Sequence, residues 1–277
     1  MYFKWIDNII RYFSNGISSA KLTSNKLEGL LLGAAVGDAM GIQVTSRTPE
    51  QLAAEPISDI IGYGDGHTPG GEFGRCAIAM HEFAKYICDN VGNKLDNTRF
   101  LWLCNRWYTI KIADEDRRLR LMLPCSVLAG AGFSSIGNSA TPQMLPDIAA
   151  DIAVAPSALM FNASAALQKY QVGKAIRRAS SKTEKFCRKI GLAIGAHSES
   201  MQVVHLVLND VADGGGFAES LLRIVNRGCH TELTGCLGGA LLGLVYGGES
   251  IPLQWRKMVV HDGGLSYLVH RLENILK

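Results

Sequence analysis

The sequence predicts an all-α fold, a compact helical single domain, and three observations carry that prediction. Apolar residues recur at helical spacing through most of the chain, convincing strand alternation is absent, and two segments carry a glycine stripe. The stripes are Gly29, Gly33 and Gly37 in "GLLLGAAVGDAMG", and Gly239, Gly243 and Gly247 in "GALLGLVYG". Glycine inside a helix costs about 1 kcal/mol relative to alanine. Two helices that accept this cost must bring their backbones close to something, most simply to each other. They are read as the central pair of the domain.

Composition agrees with a globular chain. Of 277 residues, 47% are apolar and 19% charged, enough to bury a sizeable core. The net charge of +3 is too mild to argue for nucleic acid as a partner. Seven cysteines (Cys76, Cys88, Cys104, Cys125, Cys187, Cys229, Cys236) form no CxxC pair. They are expected to be reduced thiols in a cytoplasmic compartment. No apolar run of about 18 residues exists, so no transmembrane segment is expected.

Along the chain, "MYFKWIDNIIRYFSNG" reads as an amphipathic helix with Phe3, Ile6, Ile9, Ile10 and Phe13 on one side. Lys4, Asp7 and Arg11 exclude a secretory core. This helix and a polar linker form a unit over 1–25, which either packs on the domain at 26–277 or docks a protein partner or a membrane surface. The first glycine-striped helix opens with Ser24 or Asn25 as cap. Further helices are expected over 76–90, 97–110, 117–133 (broken at Pro124) and 157–171. Two more span 199–228, separated at Gly214–Gly216. Residues 56–75 and 133–157 are predicted loops, long enough to suggest function. Eight cations at Lys169, Lys174, Arg177, Arg178, Lys182, Lys185, Arg188 and Lys189 face one acid, Glu184. They form a solvated helix face or a surface for an anionic partner.

With these elements placed, four stretches resemble the ADP-ribosylglycohydrolase superfamily, as typified by dinitrogenase reductase-activating glycohydrolase. "GLLLGAAVGDAMG" (29–41) is similar to that family's opening GAxxGxAxGDAxG helix, and "PGGEFGRCAIAMHEFAKYI" (69–87) stands in place of PGxxTDDTxMxLAxAxxL. "GNSATPQMLP" (137–146) parallels GNGAxMRxxP, and "NRGCHTELTGCLGGALLGLVYGGESIPLQW" (226–255) parallels NxGGDTDTxAAxxGAxxGAxxGxxxIPxxW. The resemblance implies an all-helical fold with two divalent metals, Mg²⁺ or Mn²⁺, in a central cleft that cleaves ADP-ribose from its acceptor. Such chemistry needs clustered oxygen ligands at helix starts.

Read in that register, the sequence departs from the pattern. Phe73, Gly74, Arg75 and Cys76 occupy the place of TDDT, and His230, Thr231, Glu232 and Leu233 the place of DTDT. The acid often found after GDAxG is replaced by Gln43, Val44 and Thr45, while Asp38 is kept. Each lost carboxylate–dication contact forfeits several kcal/mol at roughly 4 Å and an effective dielectric of about 20. The family's binuclear metal site is therefore expected to be lost, with no cofactor and no metal ligands. Asp38, Gly74, Arg75, Gly137, Asn138, Ser139, Gly228, Cys229 and Thr231 are expected to line a substrate-binding pocket.

The leading expectation is a catalytically degenerate protein, a pseudoenzyme, that binds ADP-ribose, an ADP-ribosylated protein or an ADP-ribosyltransferase. The alternative from another class is an active ADP-ribosyl hydrolase with a rebuilt site around Cys76, His230 and Glu232. There Arg75 lowers a thiol pKa and His230, oriented by Glu232, acts as base. Other readings are a dry cleft closed by a salt bridge of Glu232 to Arg75 and His230, a zinc site, or a purely structural protein. Trp255, at the place of the IPxxW tryptophan, is expected to be structural.

Overall fold

The computed structural model describes residues 22–63, 69–89, 115–133, 150–190, 198–259 and 264–276. Among these there is no strand, and eleven α-helices carry the fold. They are α1 (Ser24–Ile42), α2 (Pro49–Ala54), α3 (Arg75–Asp89), α4 (Glu115–Leu128), α5 (Ala150–Leu167) and α6 (Val172–Ile190). Then follow α7 (Glu199–Asp213), α8 (Gly216–Asn226), α9 (Thr231–Tyr246), α10 (Leu253–Val259) and α11 (Gly264–Leu276). The expected helices over 1–16 and 97–110 lie outside the described residues.

Helices α1 and α9 form the centre, and their contact is the most extensive in the molecule. Apart from Glu28, α1 is buried on all sides from Leu27 to Gly41, and α9 is buried from Thr231 to Leu244. A helix apolar all round belongs inside, so neither carries an amphipathic stripe. The two run antiparallel in a fixed register. A Cβ built on Gly29 would meet the backbone of Gly243; Gly33 faces Gly239, Gly37 faces Gly235, and Gly41 faces Thr231, each with an approach under 3.0 Å. The stripes therefore do pack on each other. The α9 stripe is Gly235, Gly239 and Gly243, one rung earlier than expected. Gly247 instead caps the end of α9 at φ 85°, a conformation in which glycine carries no Cβ penalty. At the fourth rung, the Thr231 hydroxyl donates to the Gly41 carbonyl at 2.9 Å.

Around this pair, α3, α8, α10 and α11 pack on α1, while α4, α7 and α8 pack on α9. Helices α5 and α6 form an outer pair, with α5 packed on α4, α7 and α9, and α6 on α7. The hinge between α7 and α8 has positive φ at Gly214, Gly215 and Gly216. Buried Asp210 holds the two helices together, accepting from Arg223 Nε at 3.1 Å and Arg227 Nη2 at 2.9 Å. Trp255 is 5% exposed, and its indole N–H donates to Asp59 at 2.6 Å, tying α10 to the loop before α3.

Three boundaries differ from the sequence reading. The α1 cap is Thr23, whose side chain accepts from Lys26 N–H at 3.4 Å, one residue before the expected pair. Helix α4 continues through Pro124, and the chain departs from helix only at Gly132, φ 141°. Helix α5 begins at Ala150, inside the stretch read as loop, and carries Pro156 within it. Helices α2, α10 and α11 were not anticipated. For α2 the signal was present: Thr48 and Gln51 form a capping box around Pro49.

Two outcomes follow from this packing. Gly37→Ala places a methyl against the Gly235 carbonyl and forces the central helices apart, costing about 2–3 kcal/mol in urea unfolding despite alanine's helix preference. Gly173→Ala, whose Cβ would meet only Arg177 Nη1 at 3.6 Å, is expected to be neutral or slightly stabilising. A second outcome concerns pH. His81 Nε2 donates to the Leu31 carbonyl at 3.1 Å, and burial holds its pKa at about 4, below the ordinary 6.5. The depressed value means that the unfolded chain takes up the proton first. Its stabilisation is complete above about pH 6.5 and is lost as pH falls toward 4. His81→Gln keeps a donor but not the titration, and should remove about 1–2 kcal/mol of the stability difference between pH 7 and pH 5.

Candidate functional site

The first turn of any helix has N–H groups without intrahelical acceptors. Helix α3 meets this need in an unusual way. Gly74 precedes it, its carbonyl accepting the helical bond from Ile78 at 3.2 Å, and glycine has no capping side chain. The first turn of α3 holds no acid either. The acceptors come from the central pair. Glu232 Oε1, from the start of α9, accepts Arg75 N–H at 3.0 Å. Asp38 Oδ2, from α1, accepts Ala77 N–H at 2.6 Å. Two carboxylates at a helix N-terminus also complement its macrodipole.

Gly74 is a steric requirement of this arrangement. A Cβ there would lie 2.6 Å from Glu232 Oε1 and 2.9 Å from Asp38 Oδ1. Cys76 Sγ joins the two carboxylates, the three ligand atoms lying within 4.8 Å of one another. Asp38 and Cys76 are 0% exposed and Glu232 is 8% exposed. Among the described residues, this is the group whose ligand-type atoms lie close enough to share one ion. Below it, burial raises the Cys236 thiol pKa well above its usual value, and Asp38 and Glu232 raise it further.

The turn into α9 places the neighbouring polar residues. Gly228 has φ 71°, and a Cβ on it would meet Pro49 Cα at 2.7 Å. His230 adopts the left-handed conformation at φ 43°, a region that histidine enters more readily than most residues. The Thr234 hydroxyl stabilises the turn by donating to the Cys229 carbonyl at 3.1 Å. The His230 ring turns outward, with Nε2 2.7 Å from Glu199 Oε1 on α7. Burial, then Glu199, raises the Cys229 thiol pKa, which disfavours a thiolate there.

Of the residues singled out from sequence, the structure thus brings together Asp38, Gly74, Cys76 and Glu232, with Thr231 at the adjoining rung. Arg75 is exposed and reaches Glu232 through its backbone N–H. His230 pairs with Glu199 beside Cys229, and Gly228 shapes the turn that precedes them. Gly137, Asn138 and Ser139 lie outside the described residues. Sequence reasoning missed two loop clamps. Gln43 is 3% exposed; its Oε1 accepts Ile61 N–H at 2.8 Å and its Nε2 donates to the Asp59 carbonyl at 3.2 Å. Asn226 exchanges both amide bonds with the Ile57 backbone at 2.9 Å. A lone amide after a buried run gives no periodic signal for such a role.

The capping geometry makes a distinguishing forecast. Asp38→Ala strips the acceptor from Ala77 N–H and should destabilise the fold by about 2 kcal/mol or more in urea unfolding. Glu232→Gln keeps an acceptor oxygen for Arg75 N–H and should cost about 1 kcal/mol or less.

A solved structure described as an ADP-ribosylglycohydrolase-related protein complex matches with a TM-score of 0.67 at 18% identity, covering 92% of this chain and 99% of that one. At that identity the likeness concerns the fold. No curated protein matches the chain. The ADP-ribosylglycohydrolase family model matches residues 120–276, more than half of the sequence and including the α9 turn and its glycine stripe. The chain belongs to the ADP-ribosylglycohydrolase family.

Proposed function

We propose that this chain is a catalytically degenerate member of its family, a pseudoenzyme that binds ADP-ribose or an ADP-ribosylated protein without metal-dependent hydrolysis. The observation that carries this reading is that Glu232 Oε1 and Asp38 Oδ2 accept backbone N–H groups of α3. A Mg²⁺ or Mn²⁺ ion favours about six oxygen ligands and usually keeps several waters. The donor set here is two carboxylates and a soft thiol, each 0–8% exposed, which is not the oxygen-rich set such an ion favours. Leu233, in the place of a ligating position of the DTDT motif, is apolar and 1% exposed. These residues do not fit a hard divalent pair.

The reading of a rebuilt active site finds less support. His230 turns to Glu199, away from its intended orienting partner Glu232, and Cys76 is fully buried. Family membership supports ADP-ribose chemistry as the ligand class, whether presented free, on a protein, or by an ADP-ribosyltransferase that carries it.

Calorimetry with ADP-ribose in the presence of a chelator should show saturable binding, and an assay on ADP-ribosylated arginine with Mg²⁺ or Mn²⁺ should show no release. Metal-dependent release would overturn the degenerate reading, and absence of any ADP-ribose binding would overturn the binding role.

A further inference from the structure

A second feature lies outside the central helices. Between α5 and α6 is an open cleft of about 670 Å³, within the range of small-ligand sites. Six cations line it: Lys169 from the intervening turn, and Lys174, Arg177, Arg178, Lys182 and Lys185 from α6. Among the described residues, no acid is part of the lining. The one acid of α6, Glu184, pairs with Arg188 outside the cleft. None of the lining residues belongs to α1, α3 or α9.

This placement is unfavourable for the empty protein in two ways. Lys174, Arg178 and Lys182 stand at successive i, i+4 positions, where like charges destabilise a helix. Lys174, Arg177 and Arg178 also sit in the first two turns of α6, whose first turn holds no acid, so they oppose the positive end of its macrodipole. Arg188 and Lys189, in the last turn, are explained by that same dipole. The cleft cations are not. Burial lowers the Lys182 pKa, and the neighbouring charge of Lys169 lowers it further. An anion in the cleft relieves both conflicts at once.

The shape narrows the ligand. The cations from Lys174 to Lys185 span about 16 Å of helix, more than one phosphate can engage. Ala165, Ala166 and Tyr170 supply an apolar part of the wall. The Tyr170 ring carries Arg178 at 4.6 Å and Lys174 at 5.4 Å from its centroid, holding those cations in place. A bounded cleft of this volume, on a chain whose net charge is only +3, favours a small ligand over a nucleic-acid track. We propose that the α5–α6 cleft is a second binding site, for a small ligand carrying a pyrophosphate, of the nucleoside diphosphate class. This site does not depend on the degenerate-hydrolase reading.

The test is calorimetric titration of the full chain with inorganic pyrophosphate and with ADP, at two salt concentrations. Both should bind, more weakly at high salt. Lys174→Gln combined with Arg178→Gln should weaken both by about tenfold or more, since each removes a charge-assisted contact. Its melting temperature should hold or rise, because repulsion within α6 is relieved. Arg188→Gln combined with Lys189→Gln should leave the affinity unchanged. The proposal is overturned if neither probe binds, if the two double variants weaken binding equally, or if a poly-glutamate peptide or single-stranded DNA binds more tightly than ADP. Inorganic pyrophosphate lacks ribose, so failure here is separable from failure of ADP-ribose binding at the central helices.

Discussion

Backbone-to-backbone contact between α1 and α9 is the constraint on which the rest of the molecule depends. At three successive rungs glycine faces glycine, with no room for a methyl on either side. Such an approach exchanges helix propensity for close packing along the whole pair, and it leaves no freedom to slide. The register then extends one rung further, to Gly41 and Thr231, where a hydroxyl–carbonyl bond closes the series. That last rung fixes where α9 begins. Glu232 and Asp38 thereby arrive on the same side of the pair, and α3 is docked against them.

The chemistry of this meeting point follows from what α3 lacks. With glycine at its cap position and no acid in its first turn, α3 would bury backbone donors without acceptors, a cost of about 1–3 kcal/mol for each group. Glu232 and Asp38 satisfy Arg75 and Ala77 from across the interface. In the proposed reading, Glu232, in the place of the family's DTDT motif, and Asp38, the retained acid of GDAxG, serve the fold as inter-helix caps. The glycine register and the caps are mutually dependent. A change at Gly74 disturbs both carboxylates, and a change at Gly41 disturbs the start of α9.

Much of this was legible in the sequence, for identifiable reasons. The glycine stripes announced the central pair because glycine within a helix needs a packing explanation. The all-α class followed from periodicity, and the juxtaposition of residues 73–76 with 230–233 from the family resemblance. Side-chain direction was not legible. His230 and Glu232 are two residues apart, and only the left-handed turn at His230 sends its ring to Glu199 while Glu232 points inward. Arg75 looked like an intruding charge, yet its contribution to Glu232 is a backbone N–H, which any residue but proline could supply. Cap positions shifted by one residue at Thr23 because several adjacent polar residues offered the same chemistry. The basic run at 169–189 was visible as composition, but its concavity arises only when α6 folds back along α5.

The central claim is that Asp38 and Glu232 are engaged by α3 and do not assemble a divalent-metal centre. Its most direct test is titration of the full chain with Mn²⁺, followed by electron paramagnetic resonance of the free ion. The account predicts that the free Mn²⁺ signal rises in proportion to the added metal, as in buffer alone. Stoichiometric uptake of one or two ions per chain, abolished by Asp38→Asn or Glu232→Gln in a folded protein, would contradict it.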